Sequence, residues 1–217
     1  MRLFILIFIL SASHTYAQNN NKWKLTKNKN GIKIYTRHSE HSPIKEVKGV
    51  MKLKVSLSSI VSLIKDAKNQ HNWIYLNKTA YLLKEPSNFE WYYYNESDAP
   101  WPISNRDIVT HAKLKQNPTT YALRIEAKGV PDYIDEKEGI VRIRKLASSW
   151  DIVPINDGFV QVTFKLFADL GGSVPAWAIN LAIDTGPFNT LSAMSEEIKR
   201  DKYKNAKCSF IKEKPIE

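Results

Sequence analysis

Long stretches of the chain alternate apolar with polar residues, and a period of two predicts strands with one buried face. In Ile108 to Leu114, for example, Ile108, Thr110, Ala112 and Leu114 share one side and Val109, His111 and Lys113 the other. The same reading predicts a short strand at Ile32, Ile34 and Tyr35, and further strands at Glu46 to Val55, Thr79 to Lys84 and Phe89 to Ser97. Beyond Leu114 it predicts others at Tyr121 to Ala127, Ile140 to Val153 and Phe159 to Asp169. Turn signals at Asn117-Pro118, Val130-Pro131 and Asn156-Asp157-Gly158 separate the later strands, which favours an antiparallel meander. Leu123, Ile125, Val160, Val162, Phe164 and Leu166 fall on its inner face, and Arg124, Glu126, Arg142, Arg144, Gln161 and Lys165 on its outer one.

Helical spacing appears twice. Ile60, Val61, Leu63 and Ile64 follow the possible caps Ser56 and Ser58, and Trp73 closes that segment. Near the C-terminus Ser173 stands as an N-cap before an almost wholly apolar run from Val174 to Ile183. A break at Gly186-Pro187 and an amphipathic second half ending in lysines follow. A curved antiparallel sheet with one dry face and one helix to cover it is an α+β architecture. Because Trp177, Ile179, Leu181 and Ile183 point in several directions, something besides the sheet must touch the helix. Two readings stand: a guest in a cavity between helix and sheet, or deep burial beneath the N-terminal segment.

Asp98 to Asp107, DAPWPISNRD, is the densest stretch of the chain. Pro100 and Pro102 fix their own φ and push Ala99 and Trp101 toward extended backbone, which holds the indole out on a stiff loop. The run resembles the Pro-Trp-Pro-x-x-x-Arg-Asp signature of START domains, the lipid-transfer domains related to the steroidogenic acute regulatory protein. Further similarities follow in order: Trp73, Gly139-Ile140-Val141-Arg142, Trp150 to Pro154, and Asp169 to Trp177, so that residues 22 to 200 are covered.

The resemblance implies a helix-grip fold of the START/Bet v 1-like kind, with a curved sheet and a long C-terminal helix enclosing a lipid in a hydrophobic cavity. Trp101, Pro102, Ile103, Ala112, Val174, Trp177, Leu181 and Phe188 become the ligand and gate candidates, and Arg106 and Asp107 a structural charged pair that positions the loop. Burial of about 15 methylenes is worth roughly 12 kcal/mol, so a carrier must enclose the tail and open to release it. The helix from Val174, hinged at Gly186-Pro187, and the loop from Pro100 to Ser104 would form the gate. Trp101 would either meet a membrane interface or pack on the Arg106 strand. Ala112 stands where the sterol-binding branch has a cavity arginine, which puts a sterol in doubt. Two alternatives remain: a polyketide cyclase or aromatase using Tyr92, Tyr93, Tyr94 and Arg124 in the same fold, and a ligand-free envelope interaction protein.

The first residues change where this protein would act. Met1-Arg2, the apolar run Leu3 to Leu10 and Thr15-Tyr16-Ala17 form a signal peptide over residues 1–17, with a single domain over 18–217. The expected location is therefore periplasmic or secreted. One cysteine, Cys208, cannot staple the domain, so its core must hold it together. Without Arg2 the 32 basic residues become 31 against 22 acidic ones, a net charge of +9. That balance suits transient contact with an anionic membrane surface, and no nucleic-acid motif is present. The common hydrolase, zinc and phosphate-loop motifs are also missing, which excludes the usual enzyme signals. His38, His41, His71 and His111 are scattered; His38 and His41 could share a metal, yet nothing at ligand spacing completes the set. The expectation is a monomeric binding protein, not an enzyme, with no cofactor and no metal.

Overall fold

The computed structural model of this protein describes residues 22–172 and 174–215, so the signal-peptide segment and the proposed cap Ser173 lie outside the described residues. β1 (Lys24–Lys29) and β2 (Ile32–Arg37) form a hairpin around Asn30-Gly31, both at positive φ, 53° and 76°. An Asn-Gly pair takes that left-handed turn at low cost. β3 (Glu46–Lys54) pairs with β2, and then α1 (Leu57–Lys65) and a 3-10 turn (Ala67–Asn72) carry the chain to the far edge of the sheet. There β4 (Asn77–Ser87), β5 (Glu90–Ser97), β6 (Arg106–Gln116) and β7 (Leu123–Gly129) begin the meander, which β9 (Lys145–Pro154) and β10 (Phe159–Asp169) complete. β10 then closes on β3, with Val162 opposite Met51, giving the order β1-β2-β3-β10-β9-β7-β6-β5-β4.

The strand expected from Ile140 to Val153 is two strands. β7 reaches no further along β6 than Thr110, opposite Gly129, and the start of β6, paired with β5 on its other side, is left open on this one. β8 (Val141–Arg142) fills that place in parallel with Arg106 and Asp107, and the chain turns at Ile143 and Arg144 before β9 pairs with β7. β1 carried no alternation, since its side chains are almost all exposed.

The inner face is as the alternation predicts. Leu123, Ile125, Val160, Val162 and Phe164 are buried and Leu166 half-buried. Trp73 stands edge-on to Trp150 at 6.0 Å, and Trp150 stacks on Phe164 at 4.2 Å. Ser56, not Ser58, caps α1: its hydroxyl accepts from the Ser59 N–H at 3.1 Å. The Glu213 carboxylate takes the neighbouring N–H groups of Leu57 and Ser58 at 2.9 and 2.8 Å, which fastens the C-terminal tail to the helix start.

The covering helix is broken into α2 (Ala176–Ala182) and α3 (Thr185–Glu197), followed by α4 (Asp201–Lys204). The break falls at Ile183 and Asp184, one turn before its expected place. Pro187 is its cause, because a proline donates no hydrogen bond to the carbonyl four residues back, here Ile183, and its ring crowds that carbonyl. Leu191, Met194 and Ile198 are buried beneath α3 and just past its end. α3 comes so close to β3 that a Cβ on Gly49 would stand 2.4 Å from Leu191 Cδ1. Gly49→Val is expected to cost about 1–3 kcal/mol or more through overpacking, read as a lower midpoint in urea unfolding.

Candidate ligand site

Where β10 ends and α2 begins, the inner face of the sheet is not filled. A hollow of about 380 Å³ lies there, between α2, the 98–103 loop and the first residues of β6. That volume falls at the lower end of the range for small-molecule sites. Its walls are mostly apolar: Val47 from β3, Leu166 and Ala168 from β10, and Ala178, Ile179 and Ala182 from α2. Beyond it the concave face is closed by the Trp73, Trp150 and Phe164 cluster and by Leu191 and Met194. Two other grooves, of about 500 and 600 Å³, are larger but carry many charged and polar residues, one beside the 39–46 segment and one beside the C-terminal tail. They lack the apolar enclosure that a nonpolar guest requires.

α2 is lightly held. It has no fully buried residue, and Asn180 ties it down by accepting from the Lys45 N–H and donating to the Pro43 carbonyl, both at 2.8 Å. Its apolar character all round divides between two surroundings. Ala178, Ile179, Ala182 and Ile183 face the hollow, whereas Trp177 and Leu181, 72% and 81% exposed, face solvent. Deep burial beneath the N-terminal segment is not what the helix experiences.

The eight ligand and gate candidates occupy three places. Ile103 and Val174 line the hollow, as does Pro100 beside them. Trp101, 93% exposed, and Pro102 stand outside on the loop, and Trp177 and Leu181 outside on α2. Trp101 therefore does not pack on the Arg106 strand. Ala112 is buried in the core on the inner face of β6, and Phe188 packs against the same core with the Lys27 ammonium 5.0 Å from its ring.

Arg106 and Asp107 do not form a pair with each other. Adjacent residues of a strand point to opposite faces, so one side chain turns inward and the other outward. Asp107 meets Arg142 of β8 on the outer side, Nε to Oδ1 at 2.8 Å and Nη2 to Oδ2 at 3.0 Å, with both side chains 1% exposed. The Arg142 guanidinium also donates to the carbonyls of Pro131, Ile134 and Asp135. The hydrogen bond to Asp107 raises the Arg142 pKa above its ordinary value. Arg142 thus lies on the outer face as expected but is buried there under the 131–135 segment.

Arg106 faces the hollow. Burial lowers its pKa from the ordinary arginine value. Alternation applied to Arg106 itself could have placed it among the inner residues, a signal that sequence reading missed.

The polar residues of the enzymatic alternative are not gathered in one space. The Tyr93 hydroxyl donates to the Ile64 and Lys65 carbonyls at the end of α1. Tyr92 stacks between His111 and Tyr133, at 4.3 and 4.6 Å. Tyr94 stacks on Tyr81, and Arg124 is engaged by Glu126 and Asp151 on the outer face. His111 lies on the side opposite Ala112, as predicted, with Nε2 2.6 Å from Glu90 Oε1. Among the described residues no group of three His, Cys, Asp or Glu side chains could hold a metal ion, and no helix is long and apolar enough to cross a membrane.

A curved sheet gripping a broken C-terminal helix, with an apolar hollow under the first half of that helix, defines a helix-grip protein. The START domain family matches residues 13–203 of the chain. An uncharacterised Pseudomonas aeruginosa protein is 33% identical over 172 residues, which cover 79% of this chain and 84% of that one. The mouse phosphatidylcholine transfer protein is 26% identical over 178 residues, 79% of this chain and 81% of its own length. The crystal structure of a STAR-related lipid transfer protein from Xanthomonas axonopodis superposes with a TM-score of 0.77 at 35% identity, covering 82% of this chain and 99% of that one. The chain belongs to the START domain family.

Proposed function

We propose that the protein binds a lipid in the hollow beneath α2 and exchanges it at a membrane surface. The observation that carries this reading is the hollow itself, apolar on most sides and covered by a short helix with no fully buried residue. A helix so held can lift at little cost, and the interruption at Ile183 and Asp184 supplies the hinge, with the Pro100 to Ser104 loop as the opposite side of the gate. The relatives named for lipid transfer support the same class of ligand.

Contact with the membrane falls to the two elements that flank the opening. Trp101 on the loop and Trp177 and Leu181 on α2 stand in solvent, where bulky apolar side chains gain nothing, and tryptophan favours the membrane interface. The excess of lysine and arginine favours an anionic leaflet. Export by the leader at residues 1–17 would place the carrier, a monomer, in the periplasm or outside the cell.

Native mass spectrometry of protein purified from its natural source tests the carrier reading. A co-purified lipid is the expected result, and an aromatic polyketide or a persistently empty protein that extracts nothing from vesicles would overturn it. The membrane face is tested separately. Anionic vesicles are expected to shift tryptophan emission to the blue, and Trp101→Ala with Trp177→Ala to abolish most of that shift without changing the unfolding midpoint.

A further inference from the structure

We infer that Arg106 is the receptor for the acidic head of an acyl amphiphile, whose oxyanion sits against the guanidinium while its chain lies under α2. This rests on the carrier reading and names its ligand class: a single-chain lipid ending in a carboxylate or a phosphate.

The guanidinium is buried and almost without partners. Arg106 is 6% exposed and lines the hollow, yet among the described residues its guanidinium donates only from Nη1, to the Ser104 carbonyl, and the buried Nε has no partner. Among the described residues no carboxylate pairs with it. On the neighbouring strand β8, opposite Asp107, Arg142 shows what this fold provides for a structural arginine: a bidentate carboxylate and three carbonyls. A buried charge without a counter-charge is costly, and it persists where a ligand supplies the missing anion.

The surroundings suit an oxyanion. Lys45, half-buried, adds a second cation to the wall of the hollow, and the single acid on that wall, Asp98, is exposed at its edge and forms no ion pair with Arg106. Gly172 passes beside the guanidinium at positive φ, 66°, and a Cβ there would stand 3.4 Å from Nη2, so the absence of a side chain keeps that nitrogen uncrowded. The fork of a guanidinium accepts two oxygens of a carboxylate or phosphate at once.

Size selects the rest of the molecule. At about 30 Å³ per water-sized group, 380 Å³ holds roughly a dozen such groups, which is one acyl chain of medium length and not two.

The test uses matched pairs that differ only in charge: laurate against dodecanol, and lauroyl lysophosphatidate against monolaurin, titrated into the unmodified chain by calorimetry. Each acid is expected to bind at least about tenfold more tightly than its neutral twin, the value of a charge-assisted bidentate contact. Arg106→Gln is expected to erase that ratio and Arg106→Lys to retain part of it. The twin comparison needs no variant, so it decides even where Arg106→Gln does not fold. Equal binding of acid and twin overturns the role of Arg106 and leaves the carrier reading standing. Failure of all four to bind overturns both. Inorganic phosphate that displaces laurate as effectively as lysophosphatidate does would also overturn it, in favour of a free-anion site.

Discussion

Asp107→Ala is expected to lower the unfolding free energy by about 3–5 kcal/mol, because it leaves the Arg142 guanidinium buried without its counter-charge. The two side chains are each 1% exposed and share two hydrogen bonds, so solvent offers little replacement. Arg142→Met should lose a comparable amount by a different route, stranding the Asp107 carboxylate and releasing the carbonyls of Pro131, Ile134 and Asp135. The double replacement Asp107→Leu with Arg142→Met separates these contributions. An apolar pair removes both stranded charges, but the three carbonyls remain unpaired, so only part of the loss should return. Guanidinium chloride unfolding followed by tryptophan emission measures all three variants. A loss below about 1 kcal/mol for Asp107→Ala would mean that the pair is reached by water and holds little of the fold. Because both residues point away from the hollow, lipid binding per folded molecule should not change, in contrast with Arg106.

That contrast marks where sequence reasoning reached and where it stopped. Alternation placed Leu123, Ile125, Val160, Val162 and Phe164 on the buried face because strand periodicity is local and needs no partner to be known. The same rule separates Arg106 from Asp107, yet two adjacent opposite charges read as a pair, and the true partner of Asp107 lies 35 residues later, on a two-residue strand. A strand that short carries no periodicity, so the division of β8 from β9 was not legible. The START signature carried the fold, since Asp98 to Asp107 and Asp169 to Trp177 stand in order along one chain. It did not carry the lining of the hollow. The all-round apolar run of the helix points to Trp177 and Leu181, whereas Ala178 and Ala182 line the hollow because small side chains leave space beneath a helix. Gly186-Pro187 marks a break in the sequence, but a proline disturbs the turn before it, and the interruption falls at Ile183 and Asp184.

Ala178→Trp combined with Ala182→Trp should reduce lipid binding at least a hundredfold while leaving the fold intact. Both alanines face the hollow from consecutive turns of α2, and an indole at each would occupy space that a chain of roughly a dozen water-sized groups needs. Each methylene denied burial removes about 0.8 kcal/mol, so displacing even four or five of them passes two orders of magnitude. The stability of the domain should hold or rise, since added apolar groups fill empty space and α2 has no buried residue to dislodge. Trp177→Ala, on the opposite side of the same helix, is the control. It changes no wall of the hollow, so affinity for a soluble lipid should be unchanged while association with anionic vesicles weakens. The two phenotypes are separable only if the helix presents one face to the guest and the other to the membrane. Equal loss of soluble-lipid affinity in both variants would show that α2 rolls in solution and has no fixed inner side.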